Sequence, residues 1–109
     1  MQFLMLVCRD TEPVPPADDV PDVEEWVAQM AGSGKRLAGD AVRPQELAKA
    51  VRVRGGKVLV TDGPYAETKE ILCGFDLLEC ADMDEAIRVA AAHPMAYHGV
   101  LELRPLRGD

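Results

Sequence analysis

The sequence has little positive charge and only one serine, and each shortage excludes a class of function. Its 12 Lys and Arg side chains stand against 19 Asp and Glu side chains, and the formal net charge is −7. Nucleic acids and anionic membrane surfaces attract basic proteins, so we expect neither as a partner. No apolar run approaches the roughly 18–20 residues of a membrane-spanning helix. Ser33, the only serine, lies in a glycine turn, which in practice excludes a Ser-His-Asp triad.

Metal-binding and nucleotide-binding motifs are also missing. The two histidines, His93 and His98, match no metal-ligand pattern, and there is no P-loop and no GxGxxG motif. We therefore expect no metal and no cofactor. The cysteines, Cys8, Cys73 and Cys80, form no CxxC pair. They are interpreted as reduced, mostly buried thiols, with one reactive thiol as the alternative, and reduced thiols favour a cytoplasmic location.

The length of 109 residues and the apolar content of 48% predict one globular domain that covers residues 1–109. The N-terminal segment lacks the basic region and the cleavage site of a signal peptide, and is instead typical of a strand. Residues 3–8 are apolar on both alternating faces. A strand of this kind is buried on both sides, so we expect it at the centre of its sheet.

Two amphipathic helices are predicted, each beginning with an Asp-x-x-Glu cap. The first runs from about Asp22 to Ala31, and the second begins at Asp82 and stops before Pro94. The apolar faces consist of Val23, Trp26, Val27 and Met30 in the first helix, and of Met83, Ala86, Ile87 and Ala90 in the second. Residues 35–49 are ambiguous, with a short strand at 35–38 and a turn or loop at 44–50 as interpretations.

A hairpin is predicted around Gly55-Gly56, a two-residue turn signal. In that register Val53 faces Val58 and Val51 faces Val60, so both valine pairs lie on one face. Further strands are predicted at residues 74–80 and 99–104, and His98 is placed at the start of the last one, as a surface residue.

The element order predicts an α+β fold, with a ferredoxin-like antiparallel sheet and two helices on one face. The doubly apolar first strand requires a cover on the other face as well, and no third helix is predicted there. A second copy of the sheet is the simplest cover, so we expect a homodimer.

The densest group of charges follows the strand at residues 58–61. Asp62, Tyr65, Glu67, Lys69 and Glu70 lie within nine residues that also contain a Gly-Pro turn. Crowded carboxylates can have a raised pKa and act as a general acid or base, so Asp62 is a candidate catalytic residue and the other four are candidate ligand contacts. The alternative is structural: Asp62 caps its own turn, and Glu67 and Lys69 pair or contact a partner.

His93 is the second candidate catalytic residue, because imidazole titrates near neutral pH. It lies at the predicted end of the second helix, just before Pro94. The alternative is that His93 caps that helix by bonding its last carbonyls.

The run Asp62-Gly63-Pro64-Tyr65 resembles the signature loop of the DGPF or YCII-related domain family, with Tyr65 where the family usually has Phe. The similarity extends over nearly the whole chain, through residues 3–6, 51–53, 61–70, 74–75, 84–86, 93–94 and 101–105. It implies a dimeric α+β barrel, in which two ferredoxin-like sheets pack face to face. A His-Asp pair facing a small cleft has been proposed in YCII-type relatives, with the His on the first helix. Here that helix has no His, so His93 can replace it only if the fold brings it near Asp62.

Two functions are implied by this resemblance. Related barrels carry lactone isomerase, dehydrochlorinase and monooxygenase chemistry without a bound metal, which favours small-molecule binding with acid–base activity. Family members also occur beside or fused to extracytoplasmic-function sigma factors. That association favours a non-catalytic regulatory module with a protein partner. An enclosed cleft with converging polar groups would indicate the first function, and an exposed apolar patch outside the dimer interface would indicate the second.

Overall fold

The computed structural model describes residues 1–63 and 70–108, and it is an α+β structure with antiparallel strands. Its elements in chain order are β1 (Gln2–Asp10), α1 (Val23–Gly32), β2 (Arg36–Ala41), a 3-10 turn (Gln45–Leu47), β3 (Lys49–Arg54), β4 (Lys57–Asp62), β5 (Glu70–Glu79), α2 (Met83–Ala91), α3 (Met95–His98) and β6 (Gly99–Pro105). The main sheet has the strand order β2-β5-β1-β6, and β3 and β4 form a separate two-stranded sheet.

Strand β1 lies between β5 and β6, so the prediction of a central first strand is confirmed. Phe3, Met5 and Val7 point to one face and are buried. They pack against Trp26 and Met30 of α1 and against the buried face of α2. Leu4 and Leu6 alternate with them and point to the opposite face, where they are only half-buried. The core of the described structure therefore lies on one side of the sheet.

Both long helices begin where the sequence predicts. Asp22 accepts a hydrogen bond from the Glu25 backbone N–H at 3.1 Å, and Asp82 accepts one from the Glu85 N–H at 2.9 Å. The Glu85 side chain also accepts from the Ala81 N–H, which completes a near-reciprocal cap. The prediction that Ile87 lies on the buried face of α2 is wrong, because this side chain is 52% exposed.

The last turn before β6 differs from the prediction. Helix α2 ends at Ala91, and a third helix, α3, forms where the sequence predicts the connection and the start of the last strand. His98 ends this helix and is exposed. Met95 of α3 packs against the core, so the prediction of only two helices is wrong for the described residues. Pro94 both blocks the continuation of α2 and starts α3, because its φ is already helical.

The hairpin register is confirmed, with Val53 opposite Val58 and Val51 opposite Val60. Gly55 and Gly56 have φ values of 56° and 75°, the left-handed conformations that such a turn requires. A ferredoxin-like order of strand, helix, hairpin, strand, helix and strand would include this hairpin in the main sheet, but the hairpin forms a sheet of its own. Strand β2, from the ambiguous region, takes the fourth position, and its residues pair with β5.

Candidate functional site

A carboxylate lies in the middle of β5, on the face that is otherwise apolar. Asp76 is opposite Met5 of β1, and it is only 6% exposed. Its neighbours on that face of β5 are Gly74 and the fully buried Leu78. A buried carboxylate needs a charged or hydrogen-bonding partner, because the loss of hydration otherwise costs several kcal/mol or more.

Arg36 of β2 supplies that partner. Its Nε donates to Oδ1 of Asp76 at 2.6 Å, and the Arg36 side chain is itself only 18% exposed. Gly39, opposite Asp76 on β2, leaves space for this pair. A Cβ at position 39 would collide with Asp76 Oδ1, and it would lie 2.6 Å from Arg36 Nη2. The pair therefore depends on a glycine at this position of the edge strand.

His93 enters the same region from the end of α2. It is 5% exposed, and its ring meets Trp26 edge to face, with the ring centroids 4.6 Å apart. Trp26 is fixed in turn, because its Nε1 donates to the Val89 carbonyl at 2.9 Å. Nδ1 of His93 accepts from the Met95 backbone N–H at 2.9 Å. The His93 ring thus caps the start of α3, and the structural alternative, a side chain that bonds the last carbonyls of α2, is wrong. The backbone N–H of His93, and not its ring, donates to the Ala90 carbonyl at 3.0 Å.

Burial shifts both ionisable groups toward their neutral forms. Desolvation lowers the pKa of His93, and the nearby Arg36 charge lowers it further, while Asp76 opposes both effects. Desolvation raises the pKa of Asp76, against the hydrogen bond and charge of Arg36 and the charge of His93. His93 is therefore neutral near pH 7, since its ordinary pKa is already 6.5.

These side chains border a cavity of about 340 Å³, which lies between α1 and the β2–β5 edge of the sheet. Its lining consists of Val7, Val23, Val27, Arg36, Gly39, Asp40, Ala41, Cys73, Gly74, Phe75, Asp76 and His93. The walls are mostly apolar, and the charged and polar groups are few. This composition is typical of a small-molecule site, and the volume lies at the low end for such pockets.

Two polar atoms in this region remain available to a ligand. Within residues 1–63 and 70–108, neither Nε2 of His93 nor Oδ2 of Asp76 takes part in a hydrogen bond. Neither atom is completely enclosed by protein. One imidazole nitrogen and one carboxylate oxygen, on two residues that line the cavity, are therefore without a hydrogen-bond partner in the described chain.

The candidate residues of the charged loop, residues 62–70, either lie away from this cavity or fall outside the described residues. Asp62 ends β4, pairs with Lys49 Nζ and has a side chain that is 84% exposed. It does not line the cavity described above. Glu70 begins β5, opposite Asp10, and is exposed. Tyr65, Glu67 and Lys69 fall in residues 64–69, which the structure does not describe.

The fold thus brings His93 together with Asp76 and Arg36, and sequence reasoning missed both of these partners. One signal for Asp76 was visible: a lone carboxylate in the apolar run Gly74–Leu78. No comparable signal marked Arg36, which precedes Leu37 in the ambiguous region. Its role depends on the pairing of β2 with β5, a contact 40 residues apart in sequence.

Neither a metal site nor a membrane span is found in the described structure. No group of three or more His, Cys, Asp or Glu side chains within residues 1–63 and 70–108 is arranged to hold a metal ion. No helix in the same residues has the length and apolar character needed to cross a membrane. The three cysteines are free thiols: Cys8 and Cys80 are buried, and Cys73 is half-buried.

Comparison with known proteins agrees with the resemblance noted in the sequence. An uncharacterised protein of Rhizobium meliloti (strain 1021) is 45% identical over 67 residues, a segment that covers 58% of this chain and 52% of the relative. The chain thus aligns with about half the length of that curated relative. The profile of the YCII-related domain matches residues 1–108. The chain therefore belongs to the YCII-related domain family.

Proposed function

We propose that the cavity between α1 and the β2–β5 edge binds a small molecule, and that His93 and Asp76 give it acid–base capacity. The observation that carries the proposal is the pairing of two buried ionisable groups in one apolar cavity, each with a polar atom that no described residue occupies. Shifted pKa values cluster at functional sites, so buried ionisable groups in a cleft mark a candidate site. An isomerase-like or lyase-like reaction would need no further group.

Chemical-shift mapping tests the binding part of this proposal. The ¹⁵N-labelled chain is titrated with a set of small ring compounds, and the backbone amides that respond are mapped on the structure. We expect shifts at Val27, Gly39 and Gly74, which come from three elements around the cavity. Shifts confined to β3 and β4, which contribute no residue to the cavity lining, would refute the cavity as the binding site.

We also propose that the chain forms a homodimer as a dimeric α+β barrel built from two ferredoxin-like sheets. The β-α-β-β-α-β order that remains when the hairpin and the short helix α3 are set aside supports this arrangement. The sheet face opposite the described helices has Leu4 and Leu6 on β1 and Phe75 and Leu77 on β5. Phe75 is 38% exposed in the single chain, and large apolar faces of this kind are usually covered by a partner.

The mass in solution tests the dimer. Light scattering at micromolar concentration should give about twice the chain mass of 11.9 kDa. Leu6→Lys places a charge at the centre of the proposed interface and should shift the mass toward the monomer. A wild-type chain that is monomeric at this concentration would refute the face-to-face arrangement.

The hairpin favours a second candidate function, a non-catalytic regulatory module linked to sigma-factor-dependent transcription. Its four valines lie on one face and are strongly exposed: Val51, Val53, Val58 and Val60 are 63%, 57%, 66% and 58% accessible. If Val58→Lys leaves the dimer mass unchanged, this face is free to bind another protein. Calorimetric titration with a purified extracytoplasmic-function sigma factor then decides between the two functions, and the absence of heat would count against the regulatory one.

A further inference from the structure

His93 is held in a single neutral tautomer by the chain itself. A backbone N–H can only donate, so the Nδ1 atom that accepts from Met95 must keep a lone pair. The proton of neutral imidazole is then on Nε2. This nitrogen can donate a hydrogen bond to a ligand, but it has no lone pair with which to take a proton.

Asp76 has the complementary chemistry. Its Oδ1 is occupied by Arg36 Nε at 2.6 Å, which keeps the carboxylate in place. Its Oδ2 has no hydrogen bond within the described chain, and an ionised carboxylate only accepts. Of the residues that line the cavity, His93 thus has one free donor and Asp76 one free acceptor.

The charges and walls around these two atoms restrict the ligand. Arg36 is already neutralised by Asp76, and Asp40 also lines the cavity, so the local charge balance does not favour an anion. Val7, Val23 and Val27 form apolar walls. A small, neutral and largely apolar compound with one polar oxygen fits this environment best.

We infer that Asp76 is the proton acceptor and His93 the neutral hydrogen-bond donor for a small carbonyl compound with a C–H bond next to its carbonyl. This assignment rests on the proposed small-molecule function and adds the substrate class and the two roles. Oδ2 of Asp76 removes the proton from the carbon, and the C–H electron pair forms a C=C bond. The carbonyl π electrons move to oxygen, where the developing charge accepts the hydrogen bond from Nε2–H. Asp76 then returns the proton to the same carbon, or to another carbon of the enolate, which gives exchange or isomerisation.

The first test needs no ligand. Long-range ¹H–¹⁵N correlation spectra of the full chain at neutral pH identify which His93 nitrogen carries the proton. We expect a proton on Nε2 and a lone pair on Nδ1. A proton on Nδ1, or on both nitrogens, would overturn the assignment, whether or not any compound binds.

The second test uses three ring compounds of similar shape: cyclohexanone, cyclohexanol and cyclohexanecarboxylate. Cyclohexanone should bind better than the carboxylate, and its α hydrogens should exchange for deuterium in D₂O faster with the protein than without it, as measured by ¹H NMR. Asp76→Asn and His93→Asn should each lower the protein-dependent rate by about 100-fold or more. Asparagine at 93 retains an acceptor for the Met95 N–H and removes the Nε2 donor.

Glu46→Gln, an exposed carboxylate-to-amide change in the 3-10 turn, is the matched control and should leave exchange unchanged. Binding of cyclohexanone in the cavity without exchange, or exchange that survives Asp76→Asn, would overturn the roles while the binding proposal stands. Tighter binding of the carboxylate would overturn the neutral substrate class. If none of the three compounds changes the chemical shifts of the backbone amides around the cavity, the proposal that the cavity binds small ring compounds fails.

Discussion

Replacing Gly39 with alanine tests whether the buried Arg36–Asp76 pair depends on the empty space beside β2. The added Cβ would collide with Asp76 Oδ1, and it would lie 2.6 Å from Arg36 Nη2 and 2.7 Å from the Phe75 carbonyl oxygen. The Phe75 oxygen belongs to the backbone of a paired strand, so it cannot yield without disturbing the β2–β5 ladder. The collision must instead displace the ion pair or the edge strand.

The expected cost follows from these two consequences. Forcing an extra carbon into packed structure costs about 1–3 kcal/mol, and a hydrogen bond to a charged group is worth about 1.5–3 kcal/mol. Because displacement of the pair partly relieves the overpacking, we expect Gly39→Ala to lower the free energy of unfolding by about 2–4 kcal/mol in total.

Urea denaturation at one fixed protein concentration measures this difference, since dimerisation would make the midpoint depend on concentration. Gly32→Ala is the matched control, because a Cβ at this last residue of α1 would meet nothing within 4 Å. It should be neutral or stabilise the chain by up to about 1 kcal/mol. Equal midpoints for the two variants would refute the argument that Gly39 makes room for the ion pair.

Three further predictions concern His93, the hairpin and the charged loop. Folding lowers the pKa of His93 below its unfolded value of 6.5, so the unfolded state binds more protons than the folded state just below pH 6.5. The free energy of unfolding should therefore fall as the pH drops from 6.5 through the lower pKa of the folded state. Urea titrations of the wild-type chain and of His93→Asn at several pH values should show a smaller loss in the variant. Asp76 contributes in the opposite direction: folding raises its pKa, so its contribution to stability is lost as the pH increases through the raised pKa of the folded state. Both the wild-type chain and His93→Asn contain Asp76, so the difference between them removes most of this effect. Gly56→Val should lower stability by about 1 kcal/mol or more, because φ at this position is 75°, and an unchanged melting temperature would contradict the turn geometry. Asp62→Asn should cost less than about 1 kcal/mol in the same melts, because its ion pair with Lys49 is exposed, and loss of ring-compound binding in this variant would place the charged loop at the site.

Local features of the chain were predictable because they depend on residues close in sequence. Asp22 and Asp82 cap the helices that follow them, and the paired glycines set the register of β3 and β4. The alternation of Phe3, Met5 and Val7 with Leu4 and Leu6 predicted a central strand with two apolar faces, and β1 occupies that position. Periodicity and turn chemistry are sufficient for such elements.

Other features needed the tertiary structure. Strand β2 has no clear alternation, so its place beside β5 follows from pairing and not from its own pattern. The same pairing separates the β3–β4 hairpin from the main sheet, although its sequence is strongly strand-forming. The short α3 escaped prediction because it has only four residues, and its packing through Met95 stabilises it.

The sequence by itself determined the family, the capped helices and the hairpin register, and it marked His93 as a candidate catalytic residue. Only the tertiary structure decided which carboxylate accompanies that histidine. Asp76 and Arg36 are 40 residues apart in sequence, and His93 comes from a different element. Their common cavity results from antiparallel pairing of β2 with β5 and from the packing of helices on that face. The lone carboxylate in the apolar run Gly74–Leu78 marks Asp76 in the sequence, but no local pattern shows that Arg36 and His93 are its neighbours, because those contacts join residues distant in sequence.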